Sequence, residues 1–527
     1  MSLPELGVGL TWFSALGPVL DENPGLIDLI EIEPQTFWRR DPVGGKLVVD
    51  QPMLHELLAN PLPKLIHGIG FPVGGTRPPT LEELNPLRDV AVALQVPWLS
   101  EHLSFNLVGE ARSSHTHRTS FLLPPRQTAA GVTAAARSIR AMAERMPVPV
   151  AIETGVNYLG RRPDELPDGE FVDRVVRTAE CGILLDLHNI WTNERNGRQR
   201  VSEYLGQISL DRVWEIHLAG GSEHNGYWLD AHSGAIPDEL LQLAEQVIPR
   251  LPNLKAIIFE LFPAYLPTFG MDMFRSQLES MHHLWTLRGI TQASAPRRSA
   301  SATSADRPPS PREGLSPCVS PSPCQSVAVC EELEPGECSP HQSPSLHEWS
   351  PSPREWEDTL GGLVTGGDSA SPLARELKSD PGIPLIRELI GEFRASMIVR
   401  TLRLSTRLIM LERGREYLDE LLADFYRANP PQSFASEEAD AFTAFLRERR
   451  PDVPFLDEVL EYDRAVISVA LEGKEKLLPF HADPLPLLRA LGEGRRPVDI
   501  QYGNFEVLLL PDAISEDAEL SALQVIH

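Results

Sequence analysis

The 527-residue sequence has no run of about 18 apolar residues, the length that a membrane-spanning helix needs. Its N-terminus, MSLPELGVGLTW, lacks the charged segment and long apolar segment of a secretory signal peptide. Positive charge is also scarce, because 48 Lys and Arg stand against 74 Asp and Glu, a net charge of −26. This balance disfavours binding to nucleic acid, which depends on clustered cations. We therefore expect a cytoplasmic protein that acts without membrane or nucleic acid.

Cysteine is almost missing from the first half of the chain, where Cys181 stands alone. The other four cysteines share a Pro- and Ser-rich stretch and no common zinc spacing: Cys318, Cys324, Cys330 and Cys338. Apolar residues are too sparse there to form a core, so residues 293–365 are predicted to be a disordered linker. The linker separates an N-terminal domain, 1–292, from a C-terminal domain, 366–527. Its cysteines are either a tethered substrate or a chance cluster.

Before the linker, short apolar runs alternate with amphipathic ones, which is the pattern of a parallel α/β fold. Eight runs are predicted to be strands: 6–12, 26–33, 64–68, 98–103, 148–154, 182–187, 212–218 and 256–261. Their number favours a (β/α)8 TIM barrel, although a doubly wound open sheet has a similar pattern. After the linker the pattern is helical, with one β-like stretch, DIQYGNFEVLLLP. This predicts a mainly helical α+β C-terminal domain.

Side chains able to bind metal recur at the ends of the last six predicted strands: His67, His102, Glu153, Asp186, His217 and Glu260. The loops after the sixth and seventh strands add three more: Asn189, Asp230 and His232. Each one alone has an ordinary explanation, such as a core histidine, an ion pair or a helix cap. Those explanations predict scattered positions, whereas a parallel barrel gathers its strand ends on one face. We therefore expect these nine donors to converge.

The donor set limits the kind of metal. It contains no cysteine, which disfavours a closed structural zinc site, and histidine with carboxylate suits iron, manganese and zinc alike. Nine donors are too many for one ion and suit two or three with a bridging carboxylate. Burying so many ionisable groups together without cations would be costly.

Seven segments, in this order, resemble the multinuclear non-haem iron-dependent oxidases, typified by the iron subunit of methanobactin biosynthesis: IHGIGFPVGG, SEHLSF, AIETGVNYL, LLDLHNIWTN, EIHLAGG, LDAHSGAIP and FELFPAY. The resemblance covers nearly all of residues 5–290 and implies a TIM barrel of the xylose-isomerase-like type. In the related endonucleases a histidine stands at the position of Asn189, so the amide favours an oxidase over a phosphodiesterase. Thr154 departs from the asparagine usual in the family.

The resemblance implies that the nine donors bind three irons. The first iron would have the ligands His67, His102 and Glu153. The second would share Glu153 and have the ligands Asp186, His217 and Glu260, which would face substrate or O2 and are the expected catalytic residues. The third would have the ligands Asn189, Asp230 and His232.

The implied activity is an O2-dependent oxidation of a ribosomally synthesised precursor peptide, most often at cysteine. Two or three irons, in mixed Fe(II)/Fe(III) states, would be the cofactor and O2 the co-substrate. His188, Glu101 and His224 would be supporting or proton-transfer residues. The alternative is a metal-dependent hydrolase (phosphodiesterase) or a sugar isomerase on the same barrel, although no strand-end lysine suits the isomerase.

One C-terminal segment, FLRERRPDVPFLDEVLEYDRAVISV, resembles the helical part of the partner proteins that accompany these oxidases and bind the precursor peptide. A fused partner domain is therefore one interpretation. An unrelated helical interaction domain is the other, and a separate partner protein would then recognise the peptide.

Overall fold

The computed structural model describes residues 3–40, 45–109, 116–289, 350–511 and 524–526. Eight parallel strands in the first part of the chain close into a barrel: β1 (Gly7–Thr11), β2 (Leu29–Ile32), β3 (Lys64–Gly68), β4 (Leu99–His102), β5 (Val150–Glu153), β6 (Gly182–Asp186), β7 (Val213–Ala219) and β8 (Ala256–Glu260). Each strand pairs with its neighbours in sequence, and β8 pairs with β1. This confirms the predicted TIM barrel and excludes the open sheet.

The strands form where the sequence is apolar on both faces. Every residue of β5, β6 and β8 is buried, because one face points into the barrel and the other packs against helices. The predicted strands overlap all eight observed ones and differ only at their ends.

Ten helices surround the barrel or cover its ends: α1 (Gly17–Glu22), α2 (Gln51–Ala59), α3 (Leu81–Leu94), α4 (Ala129–Ala143), α5 (Asp168–Ala179), α6 (Leu187–Arg195), α7 (Val201–Gln207), α8 (Asp238–Val247), α9 (Leu266–Phe269) and α10 (Met271–Thr286). Side chains cap the starts of some of these helices. Thr80 and Glu83 form a capping box at α3, and Thr128 accepts from the Gly131 N–H at α4. The α4 and α5 faces that contact the barrel are apolar, with Ile139 and Val175 fully buried.

The C-terminal part is mainly helical: α11 (Pro353–Val364), α12 (Pro372–Lys378), α13 (Gly382–Thr401), α14 (Arg403–Arg413), α15 (Arg415–Ala428), α16 (Ala435–Arg449), α17 (Leu456–Glu472) and α18 (Pro484–Gly492). An antiparallel sheet completes it: β9 (Lys476–Ala482), β10 (Tyr502–Leu509) and β11 (Gln524–Ile526). This confirms a helical α+β C-terminal part. None of the described helices is both long and apolar enough to cross a membrane.

Most of the predicted linker, with its four cysteines, lies outside the described residues. α11 falls inside the range 293–365 and begins before residue 366, where the C-terminal domain is predicted to start. The described residues before and after the gap belong to one compact unit. The domain boundaries themselves stay a prediction.

Trp356 of α11 joins the C-terminal helices to the barrel. Its side chain is 1% exposed, and its Nε1–H donates to the Pro124 carbonyl oxygen at 2.9 Å. The guanidinium carbons of Arg126 and Arg162 lie 5.0 Å and 4.8 Å from its ring. The neighbouring Glu357 accepts hydrogen bonds from the backbone and hydroxyl of Thr76. All of these barrel residues follow strand C-termini, so the helices pack on the face where the predicted donors lie.

Replacing Trp356 with alanine should weaken this packing. The variant loses a buried ring and leaves the Pro124 carbonyl without its donor, so we expect a loss of stability of about 3–5 kcal/mol. Hydrogen–deuterium exchange should become faster across Pro353–Val364. The matched control is Trp285→Ala, which removes a partly buried tryptophan of α10, and it should leave exchange in α11 unchanged. Equal exchange in α11 for wild type and Trp356→Ala would count against the described packing.

Candidate metal centre

Donor atoms of buried barrel residues come together in three overlapping groups inside the barrel mouth. The donor atoms of each group lie within 4.8 Å of one another: His67, His102 and Glu153 in the first group, Glu153, Asp186 and His217 in the second, and Glu31, His217 and Glu260 in the third. Glu153 is the last residue of β5 and belongs to the first and second groups. This arrangement suits a carboxylate that bridges two cations.

The two histidine rings of the first group are oriented by contacts to their Nδ1 atoms. His67 and His102 place Nε2 at 3.1 Å and 3.0 Å from the same Glu153 oxygen, Oε2. Their other ring nitrogens are bound elsewhere: His102 Nδ1 lies 3.0 Å from the Gly68 carbonyl oxygen, and His67 Nδ1 lies 2.8 Å from Ser100 Oγ. A carbonyl only accepts, so His102 carries its proton on Nδ1 and Nε2 has a free lone pair when the ring is neutral.

The second group lies deeper. Asp186 ends β6 and caps α6, because its Oδ1 accepts from the Asn189 backbone N–H at 2.8 Å. Its Oδ2 is buried without a hydrogen-bond partner. His217 Nδ1 lies 3.2 Å from Glu260 Oε1, and both side chains are at most 3% exposed.

The three loop donors lie beside the strand-end donors. His232 Nε2 lies 2.9 Å from Asp230 Oδ1 and 3.4 Å from Glu260 Oε2, so these two loop residues join the third group through Glu260. Asn189 donates from Nδ2 to Glu153 Oε1 at 3.0 Å, and its Oδ1 is buried without a hydrogen-bond partner. His232 has a backbone φ of 44°, a costly conformation for a non-glycine residue, which the surrounding loop maintains.

The pKa values of these residues are shifted because many ionisable groups are buried close together. Burial lowers the pKa of His102, but the Glu153 and Glu101 carboxylates and the Gly68 carbonyl together outweigh burial and raise that pKa to about 9. Burial opposes ionisation of Glu153, yet His102 and His67 hold its pKa well below the usual range. Burial and the Glu153 and Glu260 carboxylates raise the pKa of Asp186 well above its ordinary value. The carboxylates thus repel one another, and cations between them would remove that repulsion.

Unpartnered buried atoms test whether the site suits a metal. Among the described residues, several donors are buried with no hydrogen-bond partner: Glu153 Oε2, Asp186 Oδ2, Asn189 Oδ1, both His217 nitrogens and Glu260 Oε2. Such atoms are costly unless another group binds them. They are nitrogen and oxygen ligands without thiolate, which fits iron, manganese or zinc.

The predicted supporting residues have three different environments. His188 is fully buried, and its Nε2 accepts from Trp228 Nε1–H at 3.1 Å while Nδ1 lies 3.1 Å from Asp230 Oδ1. Because indole only donates, Nδ1 carries the proton and donates to Asp230, so His188 orients that carboxylate. Glu101 is also buried, and its Oε1 accepts from the His102 backbone N–H. His224 lies away from the donors and pairs with Glu388 of α13 at 2.9 Å.

Two buried acids near the donors are absent from the sequence prediction. Glu31 of β2 lies 3.1 Å from His217 Nε2, and Glu215 of β7 lies 3.9 Å from the same atom. The prediction considered only the ends of the last six strands, whereas Glu31 is on the second strand and Glu215 is inside the seventh. The sequence does carry a signal for both acids, because each stands between apolar residues in a buried strand, and such a position indicates a side chain inside the barrel.

Comparisons with known proteins match the barrel part of the chain. The model of a family described as "RiPP precursor modification enzyme MbnB/TglH/ChrH" matches residues 5–264. A UPF0276 protein of Chromobacterium violaceum is 32% identical over 259 residues, which cover 49% of this chain and 88% of that protein. A UPF0276 protein of Anaeromyxobacter sp. is 29% identical over 270 residues, which cover 51% of this chain and 90% of that protein.

Solved structures with a similar chain path include an L-ribulose 3-epimerase, with 14% identity and a TM-score of 0.32. The match covers 55% of this chain and 93% of that one. A D-psicose 3-epimerase matches with 10% identity and a TM-score of 0.33, over 54% of this chain and 97% of that one. Matches this distant carry no information about substrate.

Metal affinity should rise with pH because His102 must lose a proton before it can bind a cation. With a pKa of about 9, the ring is protonated at neutral pH in the metal-free protein. Each displaced proton makes binding up to about tenfold tighter per pH unit below that pKa. Competition with a chromophoric chelator for Zn²⁺ would measure this. His224→Gln is the control and should keep the wild-type slope, and an affinity that does not change up to this pKa would contradict the expectation.

Proposed function

Because this chain belongs to the MbnB/TglH/ChrH family of RiPP precursor modification enzymes, we propose that it oxidises a cysteine of a precursor peptide with O2 at a centre of two or three irons. The observation that carries the proposal is the convergence of buried donors, several without a hydrogen-bond partner, on Glu153. A peptide substrate is the family's substrate class, and a cysteine thiolate is a ligand that iron binds well.

The proposed iron ligands divide among three positions. One position has His67, His102 and Glu153. The next shares Glu153 and adds Asp186, His217 and Glu260. The last has Asn189, Asp230 and His232. When bound, iron would supply one-electron chemistry toward O2 and would favour the deprotonated form of a substrate thiol.

The protein's own side chains position the donor atoms, leave one side of the centre accessible and exclude water from the rest. His188 orients Asp230, and the Gly68 carbonyl orients His102, so the donor atoms are positioned before a cation arrives. His102, His232 and Asp230 are 13%, 15% and 22% exposed, whereas the other donors are nearly fully buried. We infer that the peptide reaches the centre on the side of these three residues and that the deeper donors exclude water.

The C-terminal helices have a proposed role in peptide recognition. They pack on the loops that follow β3, β4 and β5, and their residues contact Thr76, Pro124 and Arg162 there. A peptide held by these helices would lie close to the mouth that contains the donors. This placement supports the interpretation of a fused partner domain, in which case no separate partner protein is needed.

Substitution of single donors should reduce the iron content. Protein purified without oxygen and reconstituted with Fe(II) is expected to hold more than one iron per chain by elemental analysis and Mössbauer spectroscopy. His217→Ala and Asp230→Ala should each lower that number, because each removes one proposed ligand. The control His224→Ala removes a half-exposed histidine that pairs with Glu388, and it should retain the wild-type content. Wild-type protein without iron after reconstitution would end the proposal.

Oxygen dependence tests the reaction itself. A cysteine-containing peptide encoded beside this gene is expected to change mass when incubated with the iron-loaded protein in air, and to stay unchanged under argon. His217→Ala should abolish both the mass change and O2 uptake. The same conversion under argon would contradict an O2-dependent oxidation.

A further inference from the structure

A pair of acids lies in the barrel interior next to His217, outside the proposed set of metal ligands. Glu31 and Glu215 are both completely buried. Glu215 stands two residues before His217 on β7, so its side chain enters the barrel one layer deeper. Its Oε2 accepts from Trp98 Nε1–H at 2.9 Å, and its Oε1 has no hydrogen-bond partner. Nothing in the proposed reaction so far uses either acid.

The two ring nitrogens of His217 face different carboxylates. Nδ1 lies 3.2 Å from Glu260 Oε1, on the side of the proposed ligands. Nε2 lies 3.1 Å from Glu31 Oε1 and farther from Glu215, at 3.9 Å. The Nε2 and Glu31 atoms are close but not aligned as a hydrogen bond, so both are still available for one. A histidine that binds a metal through one nitrogen carries a proton on the other, and a buried N–H needs an acceptor. Glu31 is the nearest carboxylate to that position.

We propose that Glu31 is a positioning residue that accepts the Nε2–H of His217, so that the Nδ1 lone pair faces Glu260 and a bound cation. Glu215, fixed by Trp98, lies behind this contact and is not itself the acceptor. The inference rests on the proposed function only in taking the strand-end donors as a metal centre. It requires neither iron, nor O2, nor a peptide.

A direct ligand role for Glu31 makes a different prediction. As a ligand, Glu31 would contribute a negative charge to the cation, and an amide in its place would bind far more weakly. As a positioning residue, it contributes an oxygen that accepts from an N–H, and a glutamine oxygen can do the same. The comparison of Glu31→Gln with Glu31→Ala therefore separates the two roles.

The experiment measures Zn²⁺ affinity and stoichiometry of the full chain by competition with a chromophoric chelator. Glu31→Ala should bind Zn²⁺ at the affected position about 10–100-fold more weakly than wild type. Glu31→Gln should stay within about threefold of wild type, since its amide oxygen replaces the acceptor. Both variants should bind as many ions as wild type at saturation. Glu215→Gln is the matched control, because it alters the other buried acid, and its affinity should also stay close to wild type.

Two results would overturn this role. Unchanged affinity in Glu31→Ala would show that the contact does not position His217, and one ion fewer in Glu31→Gln would make Glu31 a ligand. If Glu31→Ala does not fold, as judged by circular dichroism, the ion count of Glu31→Gln still decides the question. A wild-type chain that binds no Zn²⁺ would overturn the metal centre as well. Wild-type binding with no effect of Glu31 would leave the proposed oxidase intact.

Discussion

The candidate metal centre depends on one group, the Glu153 carboxylate. One of its oxygens lies about equally far from His67 and His102, and the other accepts from Asn189, so residues of four barrel elements meet at a single side chain. The position is buried, where opposite charges attract strongly and like charges repel strongly. A carboxylate placed there affects how its neighbours ionise: together with Glu101 and the Gly68 carbonyl, it raises the pKa of His102. The other donors are arranged around this group.

Much of the barrel was predictable because its strands are buried on both faces. Runs such as AIIFE and GILLD are apolar except at their last residue, and a polar residue there marks the mouth of a parallel barrel. The same reasoning predicted which side chains would come near one another. Whether they bind metal is a separate matter that rests on the family and on the proposed experiments.

Other features depend on three-dimensional contacts that periodicity does not show. Glu31 meets His217 across the barrel, 186 positions later in the chain, so no local pattern connects them. The Asn189 side chain donates from Nδ2 to Glu153, 36 positions earlier in the chain, a contact that no local pattern indicates. α11 lies within a stretch predicted to be disordered from its Pro and Ser content, and it is ordered because Trp356 finds a buried position on the barrel.

The packing of α11 against the loops at the barrel mouth, within a single chain, also fixes the ratio of the barrel to the C-terminal helices. Partners encoded separately must find each other, and the fraction assembled then depends on how much of each is made. Here one polypeptide carries both surfaces, so the ratio is fixed at one to one and dilution does not separate them. Any recognition that uses these helices is therefore present beside every barrel from the moment the chain has folded.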